Sequence, residues 1–226
     1  MTRVNTSVKK ETTPPAVKPL LRGYLHLGAL FVSLVAGPIL ISHAKNSKEY
    51  FALSVYAASL VFLFGVSSLY HRGNWSYGAR RIFKRLDHAT IFFAIAGNYT
   101  AVALLVLRGW SETFVLVLVW VGSVTGVVIR EIFLDLPKSL TAIPYVVVGW
   151  AALFVLPQFW RGLSGPGFVL TVIGGLAYTA GAIVYGLKKP NLNPKVFGYH
   201  ELFHAFTIIG AGCQFASIAA FALPRS

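Results

Sequence analysis

Acidic residues are scarce in this 226-residue chain, with seven Asp and Glu against 20 Lys and Arg and a formal net charge of +13. Charge of either sign is scarce as well, at 12% of residues, where a soluble domain carries about 25%. Cysteine is all but missing. Cys213 stands alone inside an apolar run, so no internal disulfide can form and the redox compartment cannot be read from cysteine. Beyond the amino-terminal tail, no polar stretch is long enough to form a soluble domain. What the chain does have is apolar surface: 56% hydrophobic residues and a mean hydropathy of +0.67. One soluble core of this size cannot hide so much, and the composition is that of a polytopic membrane protein. The basic residues are scattered between hydrophobic runs, not collected into one polar, aromatic-laced domain. That excludes nucleic acid as a partner and fits topology signals and anionic lipid headgroups.

Residues 1–21 read as a disordered, basic, cytoplasmic tail, marked by Thr12-Thr13-Pro14-Pro15 and Pro19. Seven apolar runs follow, at approximately 22–42, 50–70, 86–107, 112–130, 140–159, 167–187 and 200–223. Each is near the ~20 residues a helix needs to cross ~30 Å of hydrocarbon. The expected fold is therefore an all-α membrane protein, a seven-transmembrane helix bundle over residues 22–223. The first run is about as long as a full span and lacks a good small-residue cleavage site, so it reads as a helix and not as a signal peptide. Of the Lys and Arg residues, only Lys45, Lys48, Arg108, Arg161 and Arg225 fall on one side of this arrangement. The rest fall on the other, which places the amino terminus in the cytoplasm and the carboxyl terminus outside. Gly122 with Gly126, and Ala177 with Gly181, read as small-residue packing positions.

With that orientation, three helix ends meet at one depth. The second run ends near His71, the third opens with Asp87 in its first turn, and the seventh opens with His200 and His204. Two histidines four residues apart lie about 40° apart around a helix and about 6 Å apart along it, so their rings can converge on one point. The spacing suits two ligands of one Zn2+ ion, with His71 as a third imidazole from a neighbouring helix. Three histidines and an open fourth position form a catalytic zinc pattern, in which bound water ionises near pH 7. Asp87 is the candidate general base or orienting carboxylate. Ser67, one turn from His71 on the same face, is a candidate hydroxyl donor to a developing oxyanion. Each residue alone has an ordinary explanation: interfacial histidines bond to backbone or water, a first-turn carboxylate suits the helix dipole, and serine is common between membrane helices. Shared depth is what joins them. His88 is turned ~100° from Asp87 and is given no part in the site. His26 and His43 receive no role. Glu201 is expected to face headgroups or a basic loop, Arg130, Glu131 and Asp135 to form a solvated loop edge, and Asn98 and Thr100 to bond between helices.

The segments Ser67-Ser68-Leu69-Tyr70-His71-Arg72, Leu86-Asp87-His88-Ala89 with Ala96-Gly97-Asn98-Tyr99-Thr100, and Tyr199-His200-Glu201-Leu202-Phe203-His204 resemble the bacterial hemolysin III family, grouped with the progestin and adipoQ receptors. The resemblance implies seven helices, an inward amino terminus and an intramembrane zinc held by His71, His200 and His204, with Asp87 and Ser67 completing the site. It links the chain to membrane lipid homeostasis and, through receptor relatives that resemble alkaline ceramidases, to hydrolysis of a lipid amide. Three functions stand open on sequence grounds: a zinc-dependent lipid amide or ester hydrolase, a pore-forming haemolysin or channel, and a zinc-clamped receptor or membrane sensor without turnover. The implied location is the cell membrane and the implied partners are membrane lipids, with a homo-oligomer left open. A retinal-type photoreceptor is disfavoured because the seventh run contains no lysine.

Overall fold

The computed structural model describes residues 19–132 and 137–226, and among these every regular element is a helix, with no strand. The helices are α1 (Tyr24–Ser42), α2 (Ser47–Arg72), α3 (Tyr77–Val106), α4 (Trp110–Ile132), α5 (Lys138–Gly149), α6 (Leu156–Leu187) and α7 (Tyr199–Ser217). A 3-10 turn, Ala151–Val155, joins α5 to α6, and a π turn, Ile218–Ala222, continues α7. Among the described residues six helical stretches are long and apolar enough to cross a membrane; one of them, Ala142–Leu187, has 46 residues. At 1.5 Å per residue that stretch would be about 69 Å long, more than twice the ~30 Å of hydrocarbon.

It does not run straight. Ser164 interrupts α6 with φ 66° and ψ 167°, a conformation that belongs almost only to glycine. The chain doubles back there, so Trp150 Nε1 donates to Thr179 Oγ1 at 3.0 Å although 29 residues separate them. The break between α5 and α6 is satisfied by a side chain. Tyr99 on α3 donates its hydroxyl proton to the Gly149 carbonyl (2.7 Å) and accepts from the Ala152 amide (2.9 Å). In lipid those backbone groups have no water to turn to, so a tyrosine in that place makes the irregular backbone affordable.

Each helix packs against its neighbours in the chain, and α7 closes the ring onto α1. Lipid is as apolar as the side chains, so close packing and small residues hold such helices together. A Cβ on Gly97 would run into Ser59 of α2, and one on Gly126 into the ring of Phe92 on α3. Gly181 lies against Phe206 of α7 and Gly122 against Val148 of α5, so the small-residue positions do serve as packing sites.

The start of α3 differs from the expectation. α3 begins at Tyr77, where Ser76 Oγ accepts from the Ala79 amide, nine residues before the apolar run. Arg80, Arg81, Lys84 and Arg85 therefore ride on the helix, where long basic side chains reach from an apolar stem toward the interface. Asp87 is in the third turn, not the first, and the helix-dipole explanation for it falls away. The expected tail lies outside the described residues except for Pro19–Leu21. There the Leu20 and Leu21 amides donate to the carbonyls of Lys195 and Val196, on the loop before α7.

Candidate metal centre

The start of α7 is fixed before any ligand is considered. Glu201, only 1% exposed, accepts from the Gly198 amide at 2.9 Å and forms a short ion pair with Arg22 Nε. Its carboxylate thus caps the helix and ties it to the segment leading into α1. Glu201 does not face headgroups; it orients the turn that carries His200 and His204.

His71 in the last turn of α2 completes a compact group with these two. One ring nitrogen from each of His71, His200 and His204 lies within 4.8 Å of the others, and all three residues are buried. The Nε2 atoms of His71 and His200 are 3.1 Å apart. Ring centroids stand 4.6 Å (His71–His200), 4.6 Å (His200–His204) and 5.1 Å (His71–His204) from one another, a nearly equilateral triangle. Two Zn–N bonds of 2.0–2.1 Å at a tetrahedral angle place their nitrogens about 3.3 Å apart, so the donor set and its spacing fit a zinc ion.

Asp87 comes to the same place from α3. Its Oδ2 is 3.7 Å from His71 Nε2, and its side chain keeps 14% exposure. Ser67, buried at 2% exposure, lies within hydrogen-bonding reach of that carboxylate. The five residues singled out from the sequence are therefore brought together by α2, α3 and α7.

Sequence reasoning missed His26. It is 2% exposed, and its ring stacks face to face on His204, with centroids 3.8 Å apart and planes within 7°. Neither ring nitrogen makes a hydrogen bond of good geometry, the His204 backbone being a close polar neighbour. No spacing in the sequence signals this contact, because it depends on α1 meeting α7 at the closure of the ring. His43 lies at the other end of α1, exposed, with Nδ1 2.8 Å from the Ile39 carbonyl, and takes no part. Arg130 also departs from expectation: at 7% exposure it is buried on α4 and not on a solvated edge, while Glu131 pairs with Arg85 at 3.0 Å. Asp135 lies outside the described residues.

His200 and His204 line a cavity of about 180 Å³ walled chiefly by α3, α5, α6 and α7. His26, Ser67, Asp87, His200 and His204 line one end; Phe168, Thr171 and Gln214 line the other. Most of the wall between is apolar, from Leu63, Ile91 and Ile95 to Val146, Leu156 and Phe159. His88 and Tyr145 line it too, so the turn that separates His88 from Asp87 does not take it out of the cavity, and Tyr145 faces inward, its ring 4.5 Å from that of Phe92. From His200 to Gln214 is 14 residues of α7, or about 21 Å of helix, more than the ~15 Å that one leaflet's hydrocarbon measures.

A model of the haemolysin-III related family matches residues 15–215. Over 229 aligned residues the chain is 28% identical to Hemolysin-3 of Bacillus cereus, covering 100% of this chain and 98% of that protein. Over 189 residues it is 29% identical to the Hemolysin-3 homolog of Bacillus subtilis (strain 168), covering 82% of this chain and 85% of that protein. The family match and the Bacillus cereus alignment both span the helices that carry the histidine group.

Proposed function

Since the chain belongs to the haemolysin-III related family and is a multi-pass cell-membrane protein, we propose that it is a zinc-dependent hydrolase of a lipid amide or ester. One observation carries this reading: three buried histidines, each with a ring nitrogen within 4.8 Å of the others, gather beside an apolar cavity that His200 and His204 line and whose walls run about 21 Å along α7. In this reading the 46-residue stretch crosses the membrane twice, turning at Ser164, which makes seven crossings. The amino terminus is cytoplasmic and the carboxyl terminus outside, from the distribution of Lys and Arg. The histidine group then lies near the inner leaflet.

Zinc held by His71, His200 and His204 would supply a Lewis acid for the scissile carbonyl and lower the pKa of a nearby water. The chain's own residues do the rest. Asp87, beside His71, takes a proton from the water attacking the carbonyl carbon. It returns that proton to the leaving nitrogen or oxygen as the C–N or C–O bond breaks. Ser67 directs its hydroxyl at Asp87 and holds the carboxylate in place, a different duty from oxyanion stabilisation. The apolar wall takes the lipid chain and excludes bulk water from the reacting carbonyl.

The relatives' name, hemolysin, favours membrane lysis as a second reading. A pore needs a polar path through several helices, whereas this cavity gathers its ionisable groups at one end. The test uses the full chain in lipid nanodiscs, with bound metal and released lipid products measured together. Asp87→Asn is expected to retain zinc and to lose product release. Zinc-loaded protein that turns over no lipid amide or ester overturns the hydrolase reading in favour of a sensor. Ion leak that is indifferent to the histidines would favour the pore.

A further inference from the structure

The cavity has polar groups away from the histidines, and several of them are held by the protein. Tyr99 is held by Gly149 and Ala152, Thr179 by Trp150 and Gly175, and Thr171 by Gly167 and Ser217. Gln214 Oε1 on α7 and Asn98 Oδ1 on α3, like the Tyr145 hydroxyl, are buried oxygens with no hydrogen-bond partner among the described residues. Gln214 and Asn98 both line the cavity. The orientation of the Gln214 amide is set by its other end, since Nε2 donates to the Thr171 carbonyl at 3.1 Å. Gln214 is 4% exposed, so its acceptor has only the cavity to turn to.

A buried acceptor without a donor costs about 1–3 kcal/mol, and a purely hydrocarbon chain beside it would leave that cost in place. A hydroxyl would remove it. The two residues also agree on depth. Gln214 is ten residues beyond His204, about 15 Å of helix, and Asn98 is eleven beyond Asp87, about 16 Å, on helices that both run away from the metal centre. C–C bonds of about 1.5 Å advance an extended chain ~1.25 Å per carbon, so 15 Å is about twelve carbons from the head.

Resting on the lipid-chain reading of the cavity, we infer that Gln214 and Asn98 form a second recognition point, selecting a lipid chain that bears a hydroxyl about a dozen carbons from its reacting head. Gln214 accepts the hydroxyl proton, and the Asn98 amide faces the same group across the cavity. Both are specificity residues and neither touches the reacting atoms.

Competition against a bound fluorescent fatty acid, on the full chain in nanodiscs, tests this with stearate and a hydroxystearate carrying its hydroxyl near the twelfth carbon. One net hydrogen bond of about 1 kcal/mol gives the hydroxylated chain a preference of about fivefold. Gln214→Leu is expected to abolish the preference while still binding stearate, which also reports that the variant is folded. Asn98→Leu should reduce it. Equal binding of the two chains by the wild type overturns the inference and leaves the lipid-chain reading standing, as does a preference that survives Gln214→Leu. If neither chain displaces the probe, the lipid-chain reading falls and takes this inference with it.

Discussion

Arg22→Ala is the sharpest perturbation of the scaffold behind the metal centre. It leaves the Glu201 carboxylate, 1% exposed, without its cation, while Arg22 itself retains 22% side-chain exposure. Breaking a buried pair by removing one partner costs about 3–5 kcal/mol. The lower end applies here, because the Gly198 amide still donates to Glu201 at 2.9 Å. Glu201→Gln should cost less, about 1–2 kcal/mol, since a glutamine oxygen still accepts from Gly198 and Arg22 is close enough to solvent to be hydrated. The double variant removes the stranded charge, so its cost should fall short of the sum by about 2 kcal/mol. At about 2–4 °C per kcal/mol for a chain of this length, Arg22→Ala lowers the unfolding midpoint by roughly 6–12 °C and the double variant by clearly less than the two singles together. Thermal unfolding of purified protein in one detergent reads all four forms. Strict additivity, with a coupling within ~0.5 kcal/mol of zero, would refute the buried-pair account. The same variants should also weaken metal binding, because Glu201 sets the turn that presents His200 and His204.

Other expectations concern the hairpin, the fourth histidine and the topology. Ser164→Gly relieves a left-handed backbone and is expected to raise stability by about 1 kcal/mol in the same unfolding assay, whereas Ser164→Val lowers it by more. His26→Phe keeps a flat ring on His204 and should retain most bound metal; His26→Ala removes the stack and should lower metal affinity severalfold, read by chelator competition. In a Cys213→Ala background, a membrane-impermeant thiol reagent applied to intact cells should label Ser226→Cys and spare Lys188→Cys. The opposite pattern would invert the proposed orientation.

The apolar runs were legible because hydrocarbon imposes a length of about 20 residues on each helix. Their ends were not. Past the hydrocarbon a helix can continue on basic side chains, as α3 does from Tyr77, and hydropathy does not register it. His71, Asp87, His200 and His204 could be grouped because run ends and orientation order residues by depth. Depth leaves rotation about each helix undecided, so the stack of His26 on His204 and the inward faces of His88 and Tyr145 needed the packed ring. Charge in the sequence points Glu201 to headgroups or a basic segment and Arg130 to a solvated edge; Glu201 does meet the basic Arg22, but both residues are buried. Gln214 reads as packing in the sequence, as an amide in an apolar run does; only the packed helices show that it lines the cavity and that its oxygen is without a partner among the described residues.

The most direct measurement is metal content per chain in protein purified without added metal, compared with His71→Ala, His200→Ala and His204→Ala. About one zinc per chain in the wild type, falling below a tenth in each variant that still folds, is the expected result. No zinc in the wild type, or zinc that survives all three substitutions, would contradict the centre that the proposed chemistry is built on.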